Sequence, residues 1–111
     1  MLQSGYAATK RLAVEKPQWI PILECIVELI REFESQGLGK EFCGSWVLNK
    51  AAKKGIKWFP GLRTLVAYGI LQKTYTTRGG RRAYYIMPDI EGVEKALQEI
   101  KTNHEKGQSK N

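Results

Sequence analysis

The chain has 111 residues, of which 42% are hydrophobic and 26% charged, and its formal net charge is +7 at pH 7. This length allows one domain with a modest core and excludes two independent domains. No apolar run approaches the roughly 18 residues that span a bilayer, and the first residues lack the apolar segment of a secretory signal. We therefore expect a cytoplasmic protein, nucleoid-associated if prokaryotic, with no membrane partner.

The distribution of the charge is more informative than its total. Residues 40–88 contain ten basic residues and a single acidic one, Glu41, whereas the rest of the chain contains eight basic and ten acidic residues. A surface without a partner usually mixes the two signs, because like charges repel each other in a compact domain. This segregation indicates a face that meets a polyanion, and nucleic acid is the commonest polyanion.

Residues suited to catalysis or metal binding are sparse. The single histidine, His104, lies in a polar C-terminal segment, and the two cysteines, Cys25 and Cys43, stand among apolar residues. The cysteines are either small buried side chains or a redox pair. One chain lacks the ligands of a zinc cluster, and neither a glycine-rich phosphate loop nor a carboxylate motif occurs. We therefore expect no enzyme, no metal and no cofactor.

The N-terminal third contains one strong helical pattern. Residues 1–16 carry weak signals and form either an arm or a short helix. Apolar residues at helical spacing then predict a core helix over 17–36, and Gly37 is suited to a left-handed cap at its end. The apolar positions are Trp19, Ile22, Leu23, Ile26, Leu29, Ile30 and Phe33.

Two shorter helices are predicted next. Residues 38–43 suit a short extended segment, and Ser45 is a reasonable N-cap for a second helix over 45–54. Only two or three residues, 56–58, separate this helix from a third one over 59–69, where Pro60 suits the first turn and Gly69 the C-terminal cap. Two short helices joined by so tight a turn, and packed on a longer helix, are typical of a helix-turn-helix.

Residues 70–87 predict a β-hairpin. Both halves are rich in Thr, Tyr and Ile, and Gly79-Gly80 between them suits a two-residue turn, because positive φ costs glycine little. This turn pairs Tyr75 with Tyr84, and Lys73 with Ile86. One face of the hairpin then packs on the helices and carries Leu71, Tyr75, Tyr84 and Ile86. The opposite face shows Gln72, Thr74, Thr76 and Tyr85.

The same register opposes two arginines at the hairpin tip. Arg78 lies across from Arg81, and Arg82 follows. Like charges opposed across a hairpin destabilise it. The arginines therefore indicate a role other than hairpin stability.

A last helix is predicted over 89–102, with Asp89 as its N-cap, and a polar tail over 103–111. The apolar residues of this helix form a narrow stripe. The stripe either packs on the first helix or forms a homodimer interface, and we expect the dimer. Its residues are Ile90, Val93, Leu97 and Ile100.

The order helix, short extended segment, helix, helix, hairpin, helix resembles the winged helix-turn-helix superfamily. The string LRTLVAYGILQK, residues 62–73, is similar to the end of the recognition helix in many winged-helix regulators, where it leads directly into the wing. The string TTRGGRRAYYIM, residues 76–87, looks like the wing. The resemblance implies a mainly α fold with a small β-hairpin (α+β), in which a three-helix core carries a two-stranded wing and a C-terminal helix.

The superfamily's usual binding mode implies a sequence-specific double-stranded DNA-binding protein, a small dimeric transcriptional regulator. The third helix then enters the major groove, and the arginine-rich wing contacts the backbone or the minor groove. Arg63 is the best candidate for reading guanine, and the lysines suit phosphates. The expected DNA-binding residues are Lys50, Lys53, Lys54, Lys57, Trp58, Arg63, Thr64, Ala67, Tyr68, Lys73, Thr77, Arg78, Arg81 and Arg82.

Two alternatives to duplex binding stay open. Winged-helix domains also dock on proteins, with exposed Trp and Tyr residues as anchors. The second alternative is an RNA or single-strand binder, for which Tyr75, Tyr84 and Tyr85 are stacking platforms. Burial of the Tyr75–Tyr84 pair counts against that second alternative.

Overall fold

The computed structural model describes residues 4–80 and 82–109, without the side chains of Arg78 and of residues 103–109. The fold belongs to the α+β class: it is mainly helical with one small three-stranded antiparallel sheet. In chain order its elements are α1 (Gly5–Glu15), a 3-10 turn (Pro17–Trp19), α2 (Ile20–Ser35), β1 (Phe42–Cys43), α3 (Gly44–Lys53), α4 (Arg63–Ala67), β2 (Gln72–Thr76), a 3-10 turn (Arg78–Gly80), β3 (Ala83–Ile86) and α5 (Ile90–Ser109).

The N-terminal segment is a packed helix. Ser4 caps α1 by accepting a hydrogen bond from the Ala7 N–H at 3.1 Å. Ala8 and Leu12 are fully buried in the same hydrophobic cluster as Val93 of α5. Of the two alternatives for residues 1–16, the structure therefore has the short helix.

The core helix α2 occupies most of the range predicted for it. Pro17 opens a 3-10 turn, and the α-helix proper begins at Ile20, with Pro21 in its first turn, where the missing N–H costs no hydrogen bond. Its apolar face is buried because residues three and four apart share one side of a helix. Gly37 follows with φ of 71°, the left-handed conformation expected of a cap.

The third helix is much shorter than the predicted 59–69. Pro60 disfavours a helical conformation at Phe59 before it, and Gly61 has φ of 109°. The helix α4 therefore begins only at Arg63 and ends at Ala67. Residues 54–62 form the connection from α3, which is several residues longer than the tight turn expected from the sequence.

The sheet has three strands rather than the predicted two, because β1 joins the hairpin in the order β1-β3-β2. Tyr75 pairs with Tyr84 as expected. An irregularity at Thr74 then shifts the register by one residue, so that Lys73 lies opposite Tyr85 instead of Ile86. A β-bulge of this kind also redirects the side chains that follow it.

The hairpin tip is wider than a two-residue turn. The N–H of Thr77 donates to the carbonyl of Arg82 at 2.7 Å, which closes a loop over residues 78–81. Gly79 and Gly80 both have positive φ, 84° and 71°. The prediction that Arg78 faces Arg81 lies outside the described residues.

The last helix is longer than predicted. It begins at Ile90, after Asp89, and its backbone continues to Ser109 through most of the segment expected to be a frayed tail. Val93 and Ala96 are fully buried. One side of α5 therefore completes the core that α1 and α2 begin.

Candidate nucleic-acid interface

A polar groove of about 320 Å³ lies where α3, α4 and the hairpin meet. Gly44 and Ser45 of the first turn of α3 form one wall, Gly61 lies just before α4, and Arg82 and Tyr85 come from the hairpin. Three separate parts of the chain thus converge on one concave surface. The sequence alone did not indicate this convergence.

The N-terminus of α3 supplies hydrogen-bond donors to this groove. Its N-cap residue is Cys43, not the predicted Ser45, and no side chain caps the first turn. The first backbone N–H groups of a helix have no intrahelical acceptor and carry partial positive charge. The Ser45 hydroxyl lies 3.2 Å from the Cys43 sulfur and adds a further polar group.

Arg82 also lines the groove, and Thr77 holds its backbone in place. The Arg82 N–H donates to the Thr77 hydroxyl oxygen at 3.0 Å, and the Thr77 N–H donates back to the Arg82 carbonyl. A hydrogen bond with Tyr84 is the chief reason that the pKa of Arg82 is raised. Thr77, predicted as a DNA contact, is therefore engaged in closing the hairpin.

The exposed side of α4 presents the residues expected in a major groove. Arg63 and Ala67 are exposed and Thr64 is half-buried, whereas Leu65 is fully buried and anchors the helix. Arg63 and Ala67 are four residues apart and so lie on the same face. The sequence prediction and the observed exposure agree at these positions.

The connection before α4 contributes two more of the predicted residues. Lys57 is exposed, and Trp58 is 44% exposed. The Trp58 ring meets the buried Trp19 ring edge-on, with 5.0 Å between centroids. One part of Trp58 therefore fastens the connection to the core, while the rest stays accessible.

Two of the predicted phosphate-binding lysines form ion pairs with acidic residues of the domain itself. Lys50 forms ion pairs with Glu32 and, at 3.8 Å, with Glu28, and Lys54 pairs with Glu28. The hydrogen bond from Lys50 lowers the pKa of Glu32. Packing places the acids of α2 beside Lys50 and Lys54, and the DNA contact of these two lysines stays a prediction. Lys53, on the same helix, is exposed.

Tyr68 is likewise engaged by the fold. Its hydroxyl donates a hydrogen bond to the Glu15 carboxylate, which raises the pKa of Tyr68. The Arg11 guanidinium lies over its ring, 5.3 Å from the centroid. These contacts tie the end of α4 to α1, and the predicted contact of Tyr68 with a nucleic acid stays a prediction.

Several cations remain without an acidic partner. Lys73 and Arg82 of the hairpin are exposed, and the side chain of Arg78 and the whole of Arg81 lie outside the described residues. Among the predicted DNA-binding residues whose side chains the structure describes, a set of five cations makes no ion pair. The set comprises Lys53, Lys57, Arg63, Lys73 and Arg82.

The tyrosines of the hairpin divide between the core and the surface. Tyr85 packs against the core and beside Phe42, with ring centroids 6.2 Å apart, which contradicts its predicted place on the outer face. Tyr75, predicted to face the helices, is 50% exposed. Phe42 of the added strand β1 is the cross-strand neighbour of Tyr85, and the register is irregular at Thr74 between Tyr75 and Lys73.

The predicted dimer stripe is also divided. Val93 is fully buried within the core, so the prediction is wrong for that residue, and Ile90 is partly buried against the same core. Leu97 and Ile100 line an open, mainly apolar groove of about 500 Å³ between α5 and the α1–α2 junction. Ile90, Leu97 and Ile100 are all partly exposed, and the last two of them line this groove.

Sequence reasoning missed Gly44 and Ser45 as groove residues. The signal that points to them is the apolar pair Phe42-Cys43 directly before two small residues. Such a pair suits a short buried strand that passes straight into a helix, whose first N–H groups are then uncapped.

Among the side chains that the structure describes, which exclude those of residues 103–109, no cluster of His, Cys, Asp or Glu is placed to hold a metal ion. No helix within residues 4–80 and 82–109 is long and apolar enough to cross a membrane. No protein-family model, curated protein or solved structure matches the chain.

Proposed function

We propose that the chain is a winged-helix protein that binds double-stranded DNA in a sequence-specific manner. The element order α2, β1, α3, α4, β2, β3 supports a winged helix, in which β1 pairs with the second strand of the wing. In this assignment α4 is the recognition helix, and β2 and β3 form the wing. The proposed role is binding without catalysis.

The observation that carries the proposal is the groove beside α4. It combines the uncapped N-terminus of α3 and the residue Ser45 with Arg82, a cation of the hairpin. Backbone N–H groups at a helix N-terminus and an arginine are both suited to a phosphate oxygen. A phosphate held there brings the DNA backbone against the exposed side of α4.

Base recognition in this proposal falls to α4. Arg63 donates two hydrogen bonds to the O6 and N7 atoms of guanine, and Ala67, one turn further on, contacts a thymine methyl group. Thr64 reaches a neighbouring base edge or a phosphate. Because α4 has only five residues, few bases are read by each copy.

A second copy supplies the remaining specificity. We place the dimer interface at the apolar groove formed by Ala13, Ile20, Leu97 and Ile100. Glu24 and Lys101 also line this groove, and a twofold axis brings these opposite charges of the two copies together. A dimer presents two recognition helices and implies a pseudo-palindromic site.

Selection of bound duplexes from a random pool tests the proposal. The wild-type chain is expected to enrich a motif with two half-sites. Arg63→Ala should relax the preference at one guanine of each half-site, by about 1–3 kcal/mol. Lys16→Ala, an exposed cation between α1 and α2, is the matched control and should leave the motif unchanged.

Other outcomes distinguish the competing functions. Salt-sensitive binding without an enriched motif indicates an architectural protein. Absence of binding to any duplex at low salt rejects the proposal and favours a protein-docking module.

A further inference from the structure

Tyr75 and Tyr84 form a stacked pair at the exposed edge of the sheet. They are cross-strand partners, and their rings are nearly parallel, with an interplanar angle of 10° and 4.7 Å between centroids. The ring of Trp46 meets Tyr84 edge-on, at 5.8 Å and 80°. Tyr84 is therefore held between two rings, and Tyr75 ends the row.

Tyr75 adds little to the core. It lies on β2, at the edge of the sheet, and 50% of it is exposed. Within the described part of the chain, no aromatic ring other than Tyr84 contacts it. A ring that is covered on one face and accessible on the other is suited to stack with a further flat ring.

The charge around the pair indicates which ring system it accepts. Residues 72–87 contain four cations and no acid. One acid, Glu41, adjoins this edge, and its carboxylate accepts a hydrogen bond from the Thr74 hydroxyl at 2.7 Å. An aromatic group carried by an anionic chain matches this surface, and nucleic acids combine the two in every nucleotide.

The position of the pair separates it from the groove beside α4. Tyr84 and Tyr85 are consecutive in β3, so their side chains point to opposite faces of the sheet. Tyr85 lines the groove, and Tyr84 with Tyr75 therefore lies on the other face. A base within a duplex is covered by its neighbours, so only an unpaired base can stack on Tyr75.

We infer that Tyr75 is a stacking site for an unpaired base, and that the preferred ligand is a duplex with an adjacent single-stranded extension. This inference rests on the proposed duplex binding, because it assigns the second face of the same wing. The duplex occupies the groove beside α4, and the extended strand passes the hairpin to reach Tyr75.

The test compares a blunt DNA duplex with the same duplex carrying a short adenine extension at either end. Affinity is measured by fluorescence anisotropy, and a 2-aminopurine at the first unpaired position reports stacking by quenching. The wild-type chain should bind one extended duplex about five-fold or more tightly than the blunt one. Tyr75→Phe, which keeps the ring, should retain both the preference and the quenching.

Tyr75→Leu keeps apolar bulk and removes the ring, and should abolish the preference without changing the affinity for the blunt duplex. Equal binding of blunt and extended duplexes by the wild type, or a preference that survives Tyr75→Leu, overturns the stacking site. Tyr75-dependent binding of extensions without any binding of the blunt duplex upholds the stacking site and rejects the proposed duplex function. Absence of binding to every probe rejects both.

Discussion

The Asp89 side chain accepts a hydrogen bond at 2.8 Å from the backbone N–H of Gly5, which lies 84 residues earlier in the chain. The same carboxylate accepts a hydrogen bond at 3.2 Å from the N–H of Gly92 in α5. One side chain thus satisfies the first turns of two helices and fastens α1 to α5. Asp89 was expected only as the cap of the last helix.

Replacing Asp89 should therefore destabilise the domain more than the loss of an ordinary cap. Asp89→Ala is expected to lower the free energy of unfolding by about 2 kcal/mol, since it removes acceptors from both helices. Asp89→Asn keeps one acceptor oxygen and should cost less. Urea unfolding followed by circular dichroism measures both values, and equal losses for the two variants would contradict the double role.

Gly5→Ala should destabilise the domain although it removes no hydrogen-bonding side chain. A methyl group at this position lies 2.7 Å from the Asp89 carbonyl oxygen, so the two helices must separate. Crowding of this kind costs about 1–3 kcal/mol. Ala7→Gly, on the exposed side of α1, is the comparison and tests helix propensity alone. A neutral Gly5→Ala would show that the contact is not tight.

The lysines of α3 should differ in their effect on DNA binding. Lys53 has no described ion pair, so Lys53→Ala should reduce the magnitude of the log–log salt slope by about 1. Lys54→Ala breaks a pair with Glu28 and should leave that slope nearly unchanged. Titrations with duplex DNA at several salt concentrations provide the measurement. Equal slopes for the two variants would mean that the α2–α3 ion pairs do not withhold Lys54 from DNA.

Replacing the wing arginines should weaken the binding of all DNA sequences to a similar extent. About six neutralised phosphates correspond to a wild-type slope near −5. Combining Arg78→Ala with Arg81→Ala should weaken binding to every duplex and flatten the slope, because phosphate contacts carry little sequence information. Arg82→Ala should act in the same direction, because it removes a further cation of the wing. An unchanged slope in both variants removes the wing from the interface.

The oligomeric state should depend on the exposed part of α5. Ile100→Glu places a charge in the apolar groove at the α1–α2 junction and is expected to convert a dimer into a monomer. Leu48→Glu introduces the same charge at another exposed apolar residue, on α3, and should leave the dimer intact. Light scattering coupled to size-exclusion chromatography measures the mass. A monomeric wild-type chain would exclude this interface in solution.

Stability should fall in acid, in part through an ion pair between α2 and α5. The hydrogen bond from Arg31 lowers the pKa of Glu94 below its ordinary value of 4.5. The unfolded chain therefore binds this proton more readily than the folded one. The stabilising contribution is complete above about pH 5 and is lost as the pH falls through the lowered pKa.

Urea midpoints measured between pH 7 and pH 3 test this dependence. Glu94→Gln should lower stability at pH 7 and flatten the pH profile. Glu91→Gln changes an exposed residue of the same helix and should keep the wild-type profile. If both variants retain the full acid dependence, other carboxylates are responsible for it.

Features that depend on near neighbours in the chain could be predicted from the sequence. The spacing from Trp19 to Phe33 predicts α2, because helical periodicity places those residues on one side whatever surrounds them. The Tyr75–Tyr84 pairing follows from the short distance around the glycine turn. The exposed face of α4 followed once its buried residues were assigned.

Features that depend on distant parts of the chain required the tertiary structure. Lys50 and Lys54 belong to the basic half of the sequence, yet the packing of α2 on α3 places acids beside them. Tyr85 packs beside Phe42, its partner in a strand from residues 42–43, which the sequence did not indicate. The sequence by itself determined the order and the approximate positions of the main helices and of the hairpin, since these depend on backbone preferences and local periodicity. Only the packed fold decided which charges stay unpaired, because side-chain pairing depends on how elements far apart in the chain approach each other.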